Sequence, residues 1–415
     1  TQELLEYVPG VNGYADDGIG NSRISIGIRG LNPRRSSRIL ILEDGVPIQP
    51  AMYVYPNMYY NPPAERIARM EVIKGSGAVR YGPQTMGGVV NYLTSRPRQT
   101  PGGMVRFTGG NNGYASLFGE YGGWGNNVLK PELQVLFKRG DGFRENNDFE
   151  QYNGTFKLNI LPNSSKSLYL KANVNYENSN ATYTGLTEYS FENDPNFNPK
   201  EDDNFQVFRS SVDLIYTNQI STNLSSQSKA FFSYFARRWW RENDIFVRAS
   251  QFEQGIFEPT FPEQVGDLVR IGNSTDNFGI LRTFYVGGVE HAYSFAHNLF
   301  GKASNLEVGA RAYWERFIDD RKTGDSPSAR DGIYFIPAAD ENSSPTIVGQ
   351  SQHYQTSAFS AFVSEKINLG SLVITPGLRM EVFEQERIDR LRGSVYQDKA
   401  TFVLLPGFGL NYDLG

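Results

Sequence analysis

The chain has 415 residues, a formal net charge of −5, 42 Gly, 24 Tyr and 28 Phe, with no Cys and three His. No disulfide framework or thiolate metal site is available to it, and nothing in it resembles a basic stripe for nucleic acid. Mean hydropathy is −0.45, and no apolar run approaches the roughly 18 residues a membrane helix needs, so a helical membrane protein is excluded; many Tyr and Gly at modest hydrophobicity suit strands that give only every second residue to lipid.

Thr1-Gln2-Glu3 is neither an initiator nor a signal peptide, and the last stretch reads as a strand just completed, so a piece of a longer protein is expected. Residues 1–98 read as a compact unit of short mixed elements. Arg38 to Leu42 is an apolar strand, and Asp44-Gly45 is a hairpin turn leading into Val46-Pro47-Ile48. Pro62-Pro63 opens a short helix that runs into a strand at Met70 to Ile73. Gly75, Gly77, Gly82, Gly87 and Gly88 then frame the strand Val89 to Leu93, which implies special backbone conformations or close packing.

From residue 99 onward the pattern has period two. Leu168, Leu170, Ala172, Val174 and Tyr176 share one face, while Lys171, Asn173 and Asn175 occupy the other. Leu306, Val308, Ala310 and Ala312 stand likewise against Glu307 and Arg311, and Leu378, Met380 and Val382 against Arg379 and Glu381. A Lys or Arg facing lipid at mid-bilayer costs roughly 2–4 kcal/mol, so the charged face must point into a lumen. About twelve such strands are expected, near 103–110, 114–123, 132–140, 152–160, 166–178, 206–217, 227–237, 279–289, 305–315, 353–367, 371–382 and 402–413. Short turns at 161–165, 218–226 and 368–370 alternate with long polar loops at 179–205, 238–278, 316–352 and 383–401. The connection at 290–304 is intermediate in length where a short turn belongs. Sorting of long loops to one rim marks an outer-membrane barrel and has no reason to occur in the competing fold, a soluble β-sandwich or adhesin.

Residues 26–96 closely resemble the plug of TonB-dependent outer-membrane receptors. The resemblance rests on Ile28-Arg29-Gly30-Leu31-Asn32-Pro33-Arg34, Leu42-Glu43-Asp44-Gly45-Val46-Pro47, Met70-Glu71-Val72-Ile73-Lys74-Gly75 and Gly77-Ala78-Val79-Arg80-Tyr81-Gly82-Pro83-Gln84. The first and last of these look like the ferric-citrate branch; across the barrel the likeness is weaker, and Ile374 to Arg379 is its best stretch. The resemblance implies an antiparallel β-barrel of about 22 strands with an N-terminal α+β plug inside it, the plug over 1–98 and the N-terminal part of the barrel, with long extracellular loops, over 99–415. It also implies that an energy-coupling segment precedes Thr1, that Thr1 to Pro9 is a short plug helix, and that the protein lies in the outer membrane of a Gram-negative-type bacterium among lipid and lipopolysaccharide. It implies a partner, TonB with its inner-membrane energising complex, and a transported ferric chelate such as ferric citrate or a siderophore. No enzyme activity, resident cofactor or metal site is expected.

By that resemblance Arg29 at the plug apex and Arg237 on the barrel are ligand contacts, since the planar guanidinium fork suits an anionic chelate. Arg238 and Arg241 beside Trp239-Trp240 add cation and aromatic surface at the rim, and Tyr53, Tyr55 and Tyr59 belong to an aromatic-rich segment suited to a bulkier chelate. The blander alternatives are that Arg29 anchors the plug to Glu307 or Glu381, that Arg34, Arg35 and Arg38 form a solvated basic face, and that the tryptophans belong to an interfacial girdle. Arg80 and Glu71 are expected to lock the plug to the barrel wall, with Glu307 and Glu381 as wall carboxylates. A threonine expected near the ligand is replaced by Ile19, and two further barrel arginines are replaced by Asp276 and the stretch Gln350-Ser351-Gln352. His291, His297 and His353 do not cluster, which disfavours haem uptake and a Ser-His hydrolase. Transport of another scarce nutrient, a passive plugged porin and a surface receptor without transport remain the competing functions.

Overall fold

The computed structural model describes residues 5, 7–15, 23–182, 184–186, 188–198, 200–258, 268–340 and 343–413. Ile19 and most of Thr1 to Pro9 lie outside the described residues. In the N-terminal unit β1 (Val11–Ala15) pairs with β2 (Ile24–Ile28), and β3 (Leu40–Glu43), β4 (Val46–Pro47), β5 (Ile67–Ile73) and β6 (Val89–Thr94) form a four-stranded sheet in the order β4-β3-β6-β5. The β3–β4 hairpin turns on Asp44 and Gly45, at φ 54° and 77°, the left-handed pair that a tight hairpin requires. Gly88, at φ 132°, is irreplaceable for a second reason: a Cβ there would sit 2.5 Å from the Ile73 carbonyl oxygen.

The remaining strands are β7 (Gly102–Gly109), β8 (Ala115–Gly122), β9 (Leu129–Gly140), β10 (Phe149–Asn163), β11 (Lys166–Ser179), β12 (Asn204–Gln219), β13 (Leu224–Arg248), β14 (Leu268–Leu299) and β15 (Lys302–Thr323). After a small loop hairpin of β16 (Phe335–Ile336) and β17 (Thr346–Ile347) come β18 (Gln350–Leu369), β19 (Leu372–Asp389), β20 (Ser394–Gln397) and β21 (Thr401–Tyr412). Apart from that hairpin, consecutive strands pair antiparallel in one 13-stranded meander, in which β20 and β21 share the far edge of β19. All twelve strand positions expected from alternation are occupied by strands.

Two expectations about connections are corrected. β14 and β15 run to Leu299 and Lys302, so the join read as intermediate is a two-residue turn, Phe300-Gly301, at φ 52° and 73°. The alternation fades there because His291 and His297 break the apolar face. The loops expected at 238–278 and 316–352 are shorter, because β13, β14, β15 and β18 extend through their outer parts.

Register fixes the two faces. Phe208, Phe232, Val289, Phe359 and Leu404 are exposed on one side, as lipid-facing residues are. Lys171, Asp213, Arg237, Glu315 and Arg379 are buried on the other, against the plug. Aromatic neighbours Phe137–Tyr152, Tyr152–Tyr176, Phe208–Tyr234 and Tyr234–Tyr285 continue as a row across the lipid face, the girdle expected at a membrane interface.

Candidate ligand site

Buried charge seats the plug in the barrel wall. Lys171 on β11 reaches Glu43 at 2.8 Å, Asp44 at 2.7 Å and Asp213 at 3.3 Å, and Arg66 binds Glu43 at 2.6 Å. Burial alone would raise the Glu43 carboxyl, but Arg66, Lys171 and Arg209 outweigh it and hold Glu43 well below the carboxylate range. Lys229 donates to the Gly45 carbonyl and to Glu290, both at 3.1 Å. Glu290 in turn binds Arg311. Arg311 and Arg379 clasp the plug turn by donating to the carbonyls of Tyr81 (2.8 Å) and Arg80 (3.1 Å).

Nearer the loop rim, the plug segment 51–60 meets an arginine-rich wall. Tyr55 and Tyr59 stack with ring planes 4° apart and hydroxyls 2.8 Å apart. Arg237 lies 4.2 Å above the Tyr59 ring, Arg35 lies 5.4 Å from the same ring, and Arg282 lies 4.5 Å from Tyr55. Arg282 is forked onto Asp319 at 2.6 and 3.4 Å. The three nitrogens of Arg237 have no acceptor in hydrogen-bonding geometry among the described residues, although the residue is 1% exposed. Behind this group stand Trp239 with Arg23 at 4.7 Å, Arg241 at 5.2 Å, and the stacked pair Phe284–Phe317. Burial raises the Tyr55 phenol. For Tyr59 burial is overridden by Arg237 and Arg35, which lower it. Three guanidiniums against one paired carboxylate, walled by flat rings, can hold an anion.

The residues singled out in the sequence fall into three groups. Arg237, Tyr55 and Tyr59 come together in the nest, and Arg241 stands beside it through Trp239. Arg80 and Glu307 pair at 2.9 Å, and Glu381 lies on the wall as an acceptor for Tyr53 and Arg379. The others stand elsewhere. Arg238 is exposed, on the face of β13 opposite Arg237, because neighbouring strand residues point to opposite sides. Glu71 pairs with Arg69 and Asn91 inside the plug rather than with the wall. Arg29, in a left-handed turn at φ 59°, donates to the Met86 carbonyl rather than to Glu307 or Glu381. It lines a cleft of about 770 Å³ between the plug and β19–β21. Trp239 is buried toward the plug and does not serve as a girdle residue.

Sequence reasoning missed Arg282, Asp319, Glu315 and Lys171. Each sits at a charged position of an alternating strand, which signals a lumen-facing side chain. Only the register, which sets Arg282 opposite Arg237 and Asp319, shows which of them meet.

Comparison with known proteins agrees with this architecture. Residues 1–89 match the family model of the TonB-dependent Receptor Plug Domain. The ferric enterobactin receptor PirA of Pseudomonas aeruginosa is 35% identical over 119 residues, 26% of this chain and 16% of that protein. The vitamin B12 transporter BtuB of Vibrio vulnificus is 34% identical over 110 residues, covering 26% and 17%. Among solved structures, the unliganded ferric citrate transporter FecA superposes at a TM-score of 0.80 and 22% identity, covering all of this chain and 58% of that one. The ferric-catecholate import receptor Fiu of E. coli K12, in its open form, gives 0.71 and 14%, with 65% of that chain covered. The chain thus spans about three fifths of those structures, and its matches to the curated relatives cover about a sixth of their length. Residues 1–89 thus match the plug domain of TonB-dependent receptors, and they pack against consecutive strands of one antiparallel sheet that shares the fold of the solved receptors.

Proposed function

We propose that the full-length receptor imports an anionic ferric chelate, ferric citrate or a siderophore, across the outer membrane with energy delivered through TonB. The observation that carries this reading is Arg237, buried over Tyr59, whose guanidinium nitrogens make no hydrogen bond in good geometry among the described residues. A buried cation without hydrogen-bond acceptors costs free energy until an anion supplies them. The flat rings of Tyr55, Tyr59 and Phe317 beside it favour a chelate with planar or aromatic arms. The chelate binds between this nest and the outer loops, and the plug then loosens under TonB. The chain's part is to bind and release, with no covalent step.

The test is titration of the purified full-length receptor with ferric citrate and with a ferric catecholate, followed by tryptophan fluorescence, which Trp239 makes sensitive to this site. Saturable binding that weakens with salt and drops roughly 10-fold or more in Arg237→Ala, the size of one charge-assisted hydrogen bond, supports the reading. Absence of saturation by either chelate removes it.

A further inference from the structure

Tyr53 stands on the same plug segment as Tyr55 and Tyr59 but faces another wall. Its hydroxyl donates to Glu381 at 2.5 Å, and its ring packs between Tyr313 (5.5 Å) and Phe383 (5.2 Å). Its backbone N–H and that of Val54 donate to Glu315, at 3.2 and 2.9 Å. Glu315 is wholly buried and also accepts from Tyr313 and Thr356. Two wall carboxylates, on β15 and β19, therefore hold one plug residue by its main chain and its side chain.

The second carboxylate leads on. Glu381 accepts from Arg379, and Arg379 donates to the Arg80 carbonyl. Arg80 ends the short 3-10 turn Gly75–Arg80, and Arg80 itself is tied to Glu307. A side chain would crowd the turn against its clasp: a Cβ on Gly82 would stand 3.0 Å from Arg379 and 3.1 Å from Arg311. At the other end of the turn Lys74 donates to the Pro9 carbonyl. Polar contacts joined through the backbone of the Gly75–Arg80 turn thus link the tyrosine face to the N-terminal segment of the plug.

We propose that Tyr53 is a positioning residue, not a ligand contact: through Glu381 and Arg379 it ties the Tyr55–Tyr59 face to the Arg80 turn. This rests on the nest being the ligand site only for its consequence, that occupancy of the nest is felt at the turn; the tie itself exists in the empty receptor. Movement of the 51–60 segment pulls on the phenol–carboxylate bond, which shares its carboxylate with the guanidinium holding the turn.

Amide hydrogen exchange on the full-length receptor in detergent tests the tie without ligand, in wild type, Tyr53→Phe, Glu381→Gln and the control Glu65→Gln. Glu65 meets Lys138 on a different strand, β9. The expected result is exchange at residues 75–81 roughly five-fold faster in the first two variants, the effect of losing about one net hydrogen bond, and unchanged in the control. A merely structural Tyr53 moves its own neighbours at 51–55 and leaves 75–81 as in wild type; that result overturns the proposal, as does a parallel rise over the whole plug. In a second arm, ferric citrate and a ferric catecholate are added. A chelate-dependent change at 75–81 that persists in Tyr53→Phe also overturns it. If wild type binds neither chelate, the proposed function fails, while the ligand-free arm still decides the role of Tyr53.

Discussion

At the scale of single residues, function turns on side chains whose neighbours decide their role. Tyr53, Tyr55 and Tyr59 read alike in the sequence, yet one is held by Glu381 and the others stack under arginines. Arg237 and Arg238 were both read as ligand-rim residues, yet neighbouring strand positions point to opposite sides, so one is buried toward the plug and the other exposed on the opposite face. Arg238→Ala is accordingly expected to leave ferric citrate binding within about two-fold of wild type while Arg237→Ala does not, measured by the same fluorescence titration. Lys171 has the clearest structural burden, with three carboxylates within 3.3 Å or less. Removing one partner of a buried ion group leaves uncompensated charge, so Lys171→Met is expected to cost about 3–5 kcal/mol, read as a lower plug unfolding midpoint in calorimetry. Glu43 and Asp44 are both held below their ordinary values. Their contribution is therefore complete above the unfolded-state value near pH 4 and is lost as pH falls through the lower folded-state values. Plug stability should be flat from neutral pH to about 5 and decline in stronger acid, with a shallower decline in a Glu43→Gln, Asp44→Asn double variant.

At the scale of elements, most of the architecture was legible. Period-two alternation located twelve of the thirteen strands of the meander because one face must satisfy lipid and the other a polar lumen; the short β20 (Ser394–Gln397) falls in the stretch read as a loop. Asp44-Gly45 announced its hairpin because only residues tolerant of positive φ fit that turn. The parts that were not legible depend on registers and on side chains far apart in sequence. The Phe300-Gly301 turn was obscured because a phenylalanine at φ 52° carries no turn signature. The Glu71 placement failed because the charge pattern cannot say whether a carboxylate meets its own sheet or the wall, and Arg69 two residues away claims it. Gly82 belongs to this scale: at φ 114° and against two guanidiniums, Gly82→Ala is expected to lose about 1–3 kcal/mol. The readout is faster exchange at residues 75–81, with the barrel amides unchanged.

At the scale of the whole molecule, plug and wall are joined on two levels. Buried ion groups around Lys171, Glu290 and Arg379 fasten the body of the plug, whereas the outer segment 51–60 is fastened by Glu315 and Glu381 and faces the arginine nest. The plug family was readable from its motifs because they encode turns and clasps that any plug of this kind must form. The ligand was not readable, since it depends on which arginines converge across strands separated by dozens of residues.

The most direct test of import is uptake of radiolabelled iron, supplied as ferric citrate or a ferric catecholate, into cells whose only such receptor is the full-length protein. Uptake that requires TonB and falls at least ten-fold in Arg237→Ala, matching the loss of a charge-assisted hydrogen bond, is the expected result. Uptake that continues without TonB, or that is indifferent to Arg237, would contradict it.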